Sequence, residues 1–322
     1  MSLLRVWIAG LRRVRRAPAV LLVLWLGTLA ATVPPALVLQ DAIRAHLGES
    51  LEADSAADGV NYDWMQEFTA SGDPLTRTLR PDVIGFAAVM DNSSALADAG
   101  RRAPVVVVSG VAYLVFAWFL MPGAIHRLAV DQRMGARRFL ARCGACAARL
   151  LRLGLFSALV YAVLFGSLHA WLFDDLYDRL THDLTVERTA FLLRLAGYLL
   201  FFAIVAVVNL WFDVAKVRMI VEDRRSIVSS LDAAARFIAA RPALMFGTYA
   251  MNVLLFAAVL GAYYLAAPGA SGGSHAIWAA FAVGQAYIAA RLFTKLAFWG
   301  TEVCALQARF GCAGFARGEP LT

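Results

Sequence analysis

One short pattern occurs twice in this chain, and its residue types suit anion recognition. Arg127-x-x-Val130-Asp131-x-Arg133 and Arg218-x-x-Val221-Glu222-x-Arg224 each follow a long apolar run and precede another. A guanidinium fork binds phosphate or carboxylate bidentately, and a neighbouring acid can hold the fork in orientation. The boxes, with Arg138, Arg142 and Arg225 beside them, therefore read as contacts for an anionic lipid headgroup or a cytoplasmic partner. A bland reading competes: arginines at a membrane surface snorkel toward phosphates without forming a site.

Other residues suggest other chemistry. Cys143-Gly-Ala-Cys146 is a C-x-x-C, with Cys304 and Cys312 far downstream. Thiolates in such a pair serve zinc or redox chemistry. This pair falls within a helical pattern on an alanine-rich apolar face, and the four-cysteine spacing fits no standard finger, so packing is expected. Asp175, Asp178 and His182 are spaced for one helix face and could hold a divalent cation. They are weak candidates, since charged outer loops are usually just solvated, and no metal or cofactor is expected. Asn209, Tyr249, Asn252 and Gln285 lie deep in apolar runs, with Arg291 and Lys295 at the end of the last. They either line a cavity or join helices by hydrogen bonds. No acid sits in the middle of any run, which argues against a proton-coupled carrier. No P-loop, GxSxG, HExxH or dinucleotide fingerprint occurs, so no catalytic residue is assigned and an enzyme is not favoured.

The elements that must position these residues are legible in the composition. Hydrophobic residues make up 61% and charged residues 16% of the 322, and the mean hydropathy is +0.65. A soluble domain carries roughly a quarter charged residues. The chain reads as an all-α, polytopic six-helix transmembrane bundle forming one membrane domain. Apolar runs at 18–39, 104–125, 150–173, 190–212, 243–266 and 276–299 can each cross a hydrocarbon core of about 30 Å. The run at 18–39 is expected to stay as an anchor, being long for a signal peptide. Residues 41–103 are predicted to be a large extracytoplasmic loop of short amphipathic helices.

Charge alternates between the runs. Segments 126–149 and 213–241 are basic, as is the start of the chain, with Arg5, Arg12, Arg13, Arg15 and Arg16; segments 41–103 and 174–189 are acidic. The positive-inside rule then predicts a cytoplasmic (inner) membrane protein, bacterial in character, with both termini and both basic segments in the cytoplasm. On a helix through 213–241, Arg218, Glu222, Arg225, Ser229, Asp232 and Arg236 fall in one stripe, opposite Val217, Ile220, Ile227, Leu231 and Ile238. In the earlier arm Arg138, Arg142, Arg149 and Arg152 share a face, opposite Phe139, Cys143, Cys146 and Leu150. The two boxes follow the second and fourth runs, which suggests duplicated hairpin units; after the sixth, Arg291-x-x-x-Lys295 is the candidate for a degenerate third copy.

The second arm carries Asp213, Ala215, Lys216, Arg218, Glu222, Asp223 and Arg224, and Arg241-Pro242 leads into the next run. In this, and in its six spans, the chain resembles a broad group of poorly characterised bacterial six-span membrane proteins, related in pattern to the membrane domain fused to some glycerophosphodiester phosphodiesterases. The resemblance covers mainly Asn209 to Asn252. It implies a membrane domain alone, because no polar stretch is long enough for the phosphodiesterase. Three functions stay open: a scaffold or accessory protein binding anionic lipid or a protein partner through its arms, a transporter component for a lipid or small amphiphile, and a metal-dependent enzyme with an outer site. Nucleic acid is not an expected partner.

Overall fold

The structure is a computed structural model and describes residues 2–48, 50, 52–58, 61–70, 103–267 and 274–308. The chain is all-α, and no strand occurs among the described residues. The helices are α1 (Leu3–Arg15), α2 (Pro18–Leu47), α3 (Ala53–Asp58), α4 (Tyr62–Ala70) and α5 (Pro104–Val130). After them come α6 (Ala136–Thr181), α7 (Glu187–Val221), α8 (Ile227–Ala240), α9 (Pro242–Ala266) and α10 (Ser274–Gln307). Six of them, α2, α5, α6, α7, α9 and α10, are long and apolar enough to cross a membrane. Within their most apolar windows only 6–17% of residues are buried, and side chains such as Leu199, Leu254 and Leu265 are 65%, 68% and 84% exposed. A soluble protein does not present apolar surface on this scale; lipid tails accept it at no cost.

Proline and aspartate set the boundaries. Pro18, Pro104 and Pro242 each open a helix, where a missing N–H costs nothing. No proline separates the first basic arm from the run after it, so arm and run form the single helix α6. Pro242 does separate the second arm from its run, and α8 stands alone. α6 also contains two π-helical segments, Val163–Leu168 and Trp171–Leu176.

The helix expected to run through 213–241 is interrupted. α7 stops at Val221, and five residues pass before Ile227. Asp223 has φ 48°, and its equivalent Asp131 has φ 52°. Aspartate tolerates this left-handed region better than most residues. Around Asp223 the Arg224 N–H donates to Met219 C=O at 3.0 Å, and around Asp131 its own N–H donates to Arg127 C=O at 3.2 Å. These are the two common ways of ending a helix on a left-handed residue. Arg218 and Arg236 therefore do not share one stripe. The earlier arm keeps its expected faces, with Cys143, Cys146 and Leu150 buried and Arg138 and Arg152 exposed.

The chain divides into two compact units. The first takes in Met1–Ala17, Trp118–Leu254 and the chain from Lys295 onward; the second takes in Pro18–Ala117 and Leu255–Thr294. In the first, the core is built from the ends of α5, α7 and α10, where Ile125, Leu128, Leu210, Phe212, Met219, Leu296 and Leu306 are all sealed. α1 packs there too, burying Val6, Gly10 and Val14. A Cβ on Gly10 would lie 2.6–2.8 Å from Thr301 atoms, backbone included, so glycine is required for this approach. In the second unit the Trp25 indole donates to Gln285 Oε1 at 3.0 Å, and Tyr263 stacks on Tyr287. There the Trp64 indole also donates to His46 Nδ1 at 3.0 Å. The loop expected over 41–103 is thus helical at 53–58 and 62–70, and α2 extends into it; residues 71–102 lie outside the described residues.

Candidate functional site

The two arginine boxes are brought to equivalent corners, and their leading arginines point inward. Arg127 and Arg218 are 7% and 5% exposed. Arg127 Nη2 donates to the Arg16 carbonyl at 2.7 Å, which caps the end of α1. In return Arg13 Nη1 donates to the Leu128 carbonyl at 3.0 Å, and Arg16 pairs with Asp131 at 2.9 Å. The ends of α1 and α5 therefore satisfy each other's last carbonyls, which would otherwise be orphaned.

Arg218 also turns inward at the second corner, toward a carbonyl inside α8 and not at a helix end. Its Nε donates to Glu222 at 2.9 Å, its Nη2 also meets that carboxylate, and its Nη1 donates to the Ala233 carbonyl of α8. Glu222 is further paired with Arg224, whose Nη1 donates to Ser229 Oγ at 2.7 Å. The Trp211 indole donates to the Leu231 carbonyl at 2.8 Å. Arg149 reaches Asp223 at 2.6 Å. Burial and these bonds withdraw Arg127 and Arg218 from the set of headgroup contacts; they are positioning residues for the corners. Arg133, Arg138 and Arg225 remain exposed, while Arg142, Glu222 and Arg224 are intermediate.

A third copy exists, and it is not Arg291–Lys295. Asp213 precedes Arg218 by five residues, and Glu302 precedes Gln307 by five. Gln307 is 8% exposed, and its Nε2 donates to the Ala129 carbonyl at 2.9 Å. It thus occupies at the end of α10 the role that Arg127 and Arg218 hold at the ends of α5 and α7. Arg291 and Lys295 are exposed instead, with Lys295 Nζ 5.8 Å from the Trp299 ring centre.

Next to the corners lies a polar cluster of which sequence reasoning picked out Asn209 and Tyr249 but not Tyr161 or Glu302. The Tyr161 hydroxyl donates to Asn209 Oδ1 at 3.2 Å, and Asn209 Nδ2 donates to the Tyr249 hydroxyl at 2.9 Å. One turn further along α7, Lys216 is paired with Asp213 at 2.7 Å. Glu302 of α10 is 4% exposed and lies within the electrostatic reach of both Asp213 and Lys216. A single acid after the last apolar run looks like an ordinary surface residue. The only sequence signal for its burial is its spacing to Gln307, which repeats that of Asp213 to Arg218.

The remaining polar candidates are spent on packing. Asn252 is 1% exposed; its Oδ1 accepts from the Trp7 indole at 3.0 Å and its Nδ2 donates to Thr301 Oγ1 at 2.9 Å. Gln285 holds Trp25. Asn209 therefore joins α7 to α6 and α9, Asn252 joins α9 to α1 and α10, and Gln285 joins α10 to α2. Asp175, Asp178 and His182 are not assembled either: among the described residues no three His, Cys, Asp or Glu side chains meet as a metal site. His182 pairs with Asp183, both nearly fully solvent-exposed. Cys143, Cys146 and Cys304 are buried, and Cys312 lies outside the described residues.

These features define the class: an all-α, six-helix, multi-pass membrane protein with its polar interior concentrated at helix ends. Comparison with protein-family models, with curated proteins and with solved structures gives no match to this chain.

Proposed function

We propose that the chain is a non-enzymatic scaffold or accessory protein of a bacterial inner membrane, holding anionic lipid headgroups against its cytoplasmic face. The observation that carries this reading is the division of α1 into two faces. Val6, Gly10 and Val14 are buried, while Leu4, Ile8, Arg5, Arg12 and Arg15 are exposed and fall together within about 100° of the helix circumference. A face mixing apolar and arginine side chains suits neither water nor hydrocarbon alone. It suits the headgroup layer, with the apolar groups dipping in and the guanidinium groups among phosphates. The start of α6 repeats the mixture with Leu140 beside Arg137 and Arg138, and the start of α8 with Val228 beside Arg225. Each such arginine contributes roughly 1 kcal/mol near an anionic leaflet.

The orientation rests on the same charges. The arginine-bearing ends are taken as cytoplasmic, and Asp174, Asp175, Asp178, Asp183 and Glu187 at the opposite end of α6 and start of α7 as external. The test is lipid retention. The protein is reconstituted in nanodiscs of mixed phosphatidylcholine and phosphatidylglycerol, and the lipids that remain bound on detergent extraction are weighed by native mass spectrometry. Wild type should retain phosphatidylglycerol selectively. Reversal of Arg5, Arg12, Arg15, Arg138 and Arg225 to Glu should abolish the selectivity while the protein stays monodisperse. Equal retention of both lipids by the wild type would overturn the reading.

A further inference from the structure

Among the described residues, Glu302 has no counter-charge of its own. Both of its carboxyl oxygens are buried without a hydrogen-bond partner. The charged side chains acting on it are Asp213 and Lys216, and Lys216 is already tied to Asp213. Asp213 finds this lysine three residues along its own helix, whereas the residue three after Glu302 is Ala305. The cluster thus holds two carboxyl groups and one ammonium. An unpaired carboxylate in such a place costs several kcal/mol.

We propose that Glu302, with Asp213 and Lys216, forms a binding site for one monovalent cation, either a proton or an alkali-metal ion. One positive charge balances the cluster; a divalent ion would leave it in excess. The neutral oxygens alongside suit either occupant. Tyr249, which lies in the field of both acids, accepts from Asn209 Nδ2, so its own O–H is left to turn toward a carboxyl oxygen, or its lone pair toward a cation. Tyr161, at the other end of the relay, lies in the field of Asp213 and spends its proton on Asn209. From the other packed helices, Arg13 of α1 donates to the Leu128 carbonyl, Arg127 of α5 gives Nη2 to the Arg16 carbonyl while its Nη1 is buried without a partner, and Lys295 is exposed; the charges acting on Glu302 are those of Asp213 and Lys216. This site is independent of the lipid-contacting face, and it places an exchangeable charge within the core that joins α7, α9 and α10.

The experiment uses the full chain in nanodiscs and has two arms. In the first, pH is varied at fixed sodium and the carboxylic-acid C=O stretch is followed by infrared difference spectroscopy. In the second, pH is fixed and sodium, potassium or choline chloride is added at constant ionic strength while thermal unfolding is followed. A proton site gives an acid band that titrates while the protein is folded and is missing in Glu302→Gln. An alkali-metal site gives no such band, and stabilisation by sodium or potassium but not choline, lost in Glu302→Gln. Lys216→Met removes the competing ammonium and should tighten whichever cation binds by at least about tenfold, a rise of about one pH unit in the proton case. An acid band that never titrates, together with indifference to alkali ions, overturns the proposal. So does any cation response that survives in Glu302→Gln.

Discussion

Replacing Arg218 by Met is the sharpest test of what the repeated box does. The guanidinium is almost sealed from solvent, with its side chain 6% and that of Glu222 15% exposed. It ends three interactions: two on the Glu222 carboxylate and one on the Ala233 carbonyl. Met fills much of the same volume but donates nothing. Glu222 keeps Arg224 as its cation, and the Ala233 carbonyl loses its second donor while keeping its own helix bond. Removing one partner of a buried pair costs about 3–5 kcal/mol. Part of that is regained as Arg224 adjusts, so a loss of about 3 kcal/mol is expected. The measurement is equilibrium unfolding in mixed micelles, monitored by tryptophan fluorescence; Trp211 hydrogen-bonds the same helix. Two controls fix the interpretation. Arg133→Met, at the exposed position of the other box, should change stability by less than about 0.5 kcal/mol. Arg218→Met combined with Glu222→Met removes both charges and should recover more than half of the loss. If Arg218→Met is neutral in stability but weakens lipid retention, the box is a ligand site and the structural account of it is wrong.

Other substitutions probe the same core from different sides. Gly10→Ala drives a methyl to within 2.6 Å of Thr301 Cγ2 and 2.7 Å of its backbone nitrogen; it should cost about 1–3 kcal/mol by overpacking. Gly144→Ala meets no atom within 4 Å and should stabilise by roughly 0.5–1 kcal/mol through helix propensity alone, so a thermal-shift comparison of the two separates packing from propensity. Asn252→Leu strips partners from Trp7 and Thr301 and should lower stability by roughly 1–3 kcal/mol, with a shift in tryptophan emission; an unchanged spectrum would mean Trp7 does not rest there. Single cysteines at Arg225 and Asp178, in a background with the natural cysteines replaced, should react with an impermeant maleimide from opposite faces of a sealed vesicle. Labelling of both from one face would refute the assigned orientation.

The six long apolar helices were legible because hydrocarbon thickness demands long apolar runs, and no other described helix meets that demand. Helix α1 was less so. Its arginines dominate a composition reading, yet Val6, Gly10 and Val14 recur every fourth residue, a core-facing stripe that a search for periodicity could have found. The stripe drawn across 213–241 failed for a definite reason. Periodicity treats Glu222 and Asp223 as further helical residues, and only the readiness of Asp223 for φ near 48° marks the break. With no glycine at that position, the usual sequence sign of such an ending is missing.

Burial within the membrane is driven differently from burial in water, and this explains where the interior chemistry sits. Along the apolar spans, lipid and protein neighbours are nearly equivalent, so packing there yields little. At the helix ends the last carbonyls need donors and charged side chains need partners. The chain meets both needs with one recurring device. A long polar side chain at the end of every second span, Arg127, Arg218 or Gln307, reaches a carbonyl of another helix. The copies have diverged at the position five residues earlier, which is Pro122, Asp213 and Glu302 in turn. The first carries no charge, the second carries an acid with its lysine, and the third carries an acid alone. A structural role needs only the side chain that reaches the neighbouring helix, which all three keep. The acid without a partner contributes nothing to that role and costs stability as it stands, so Glu302 is where a function separate from folding is most economically placed.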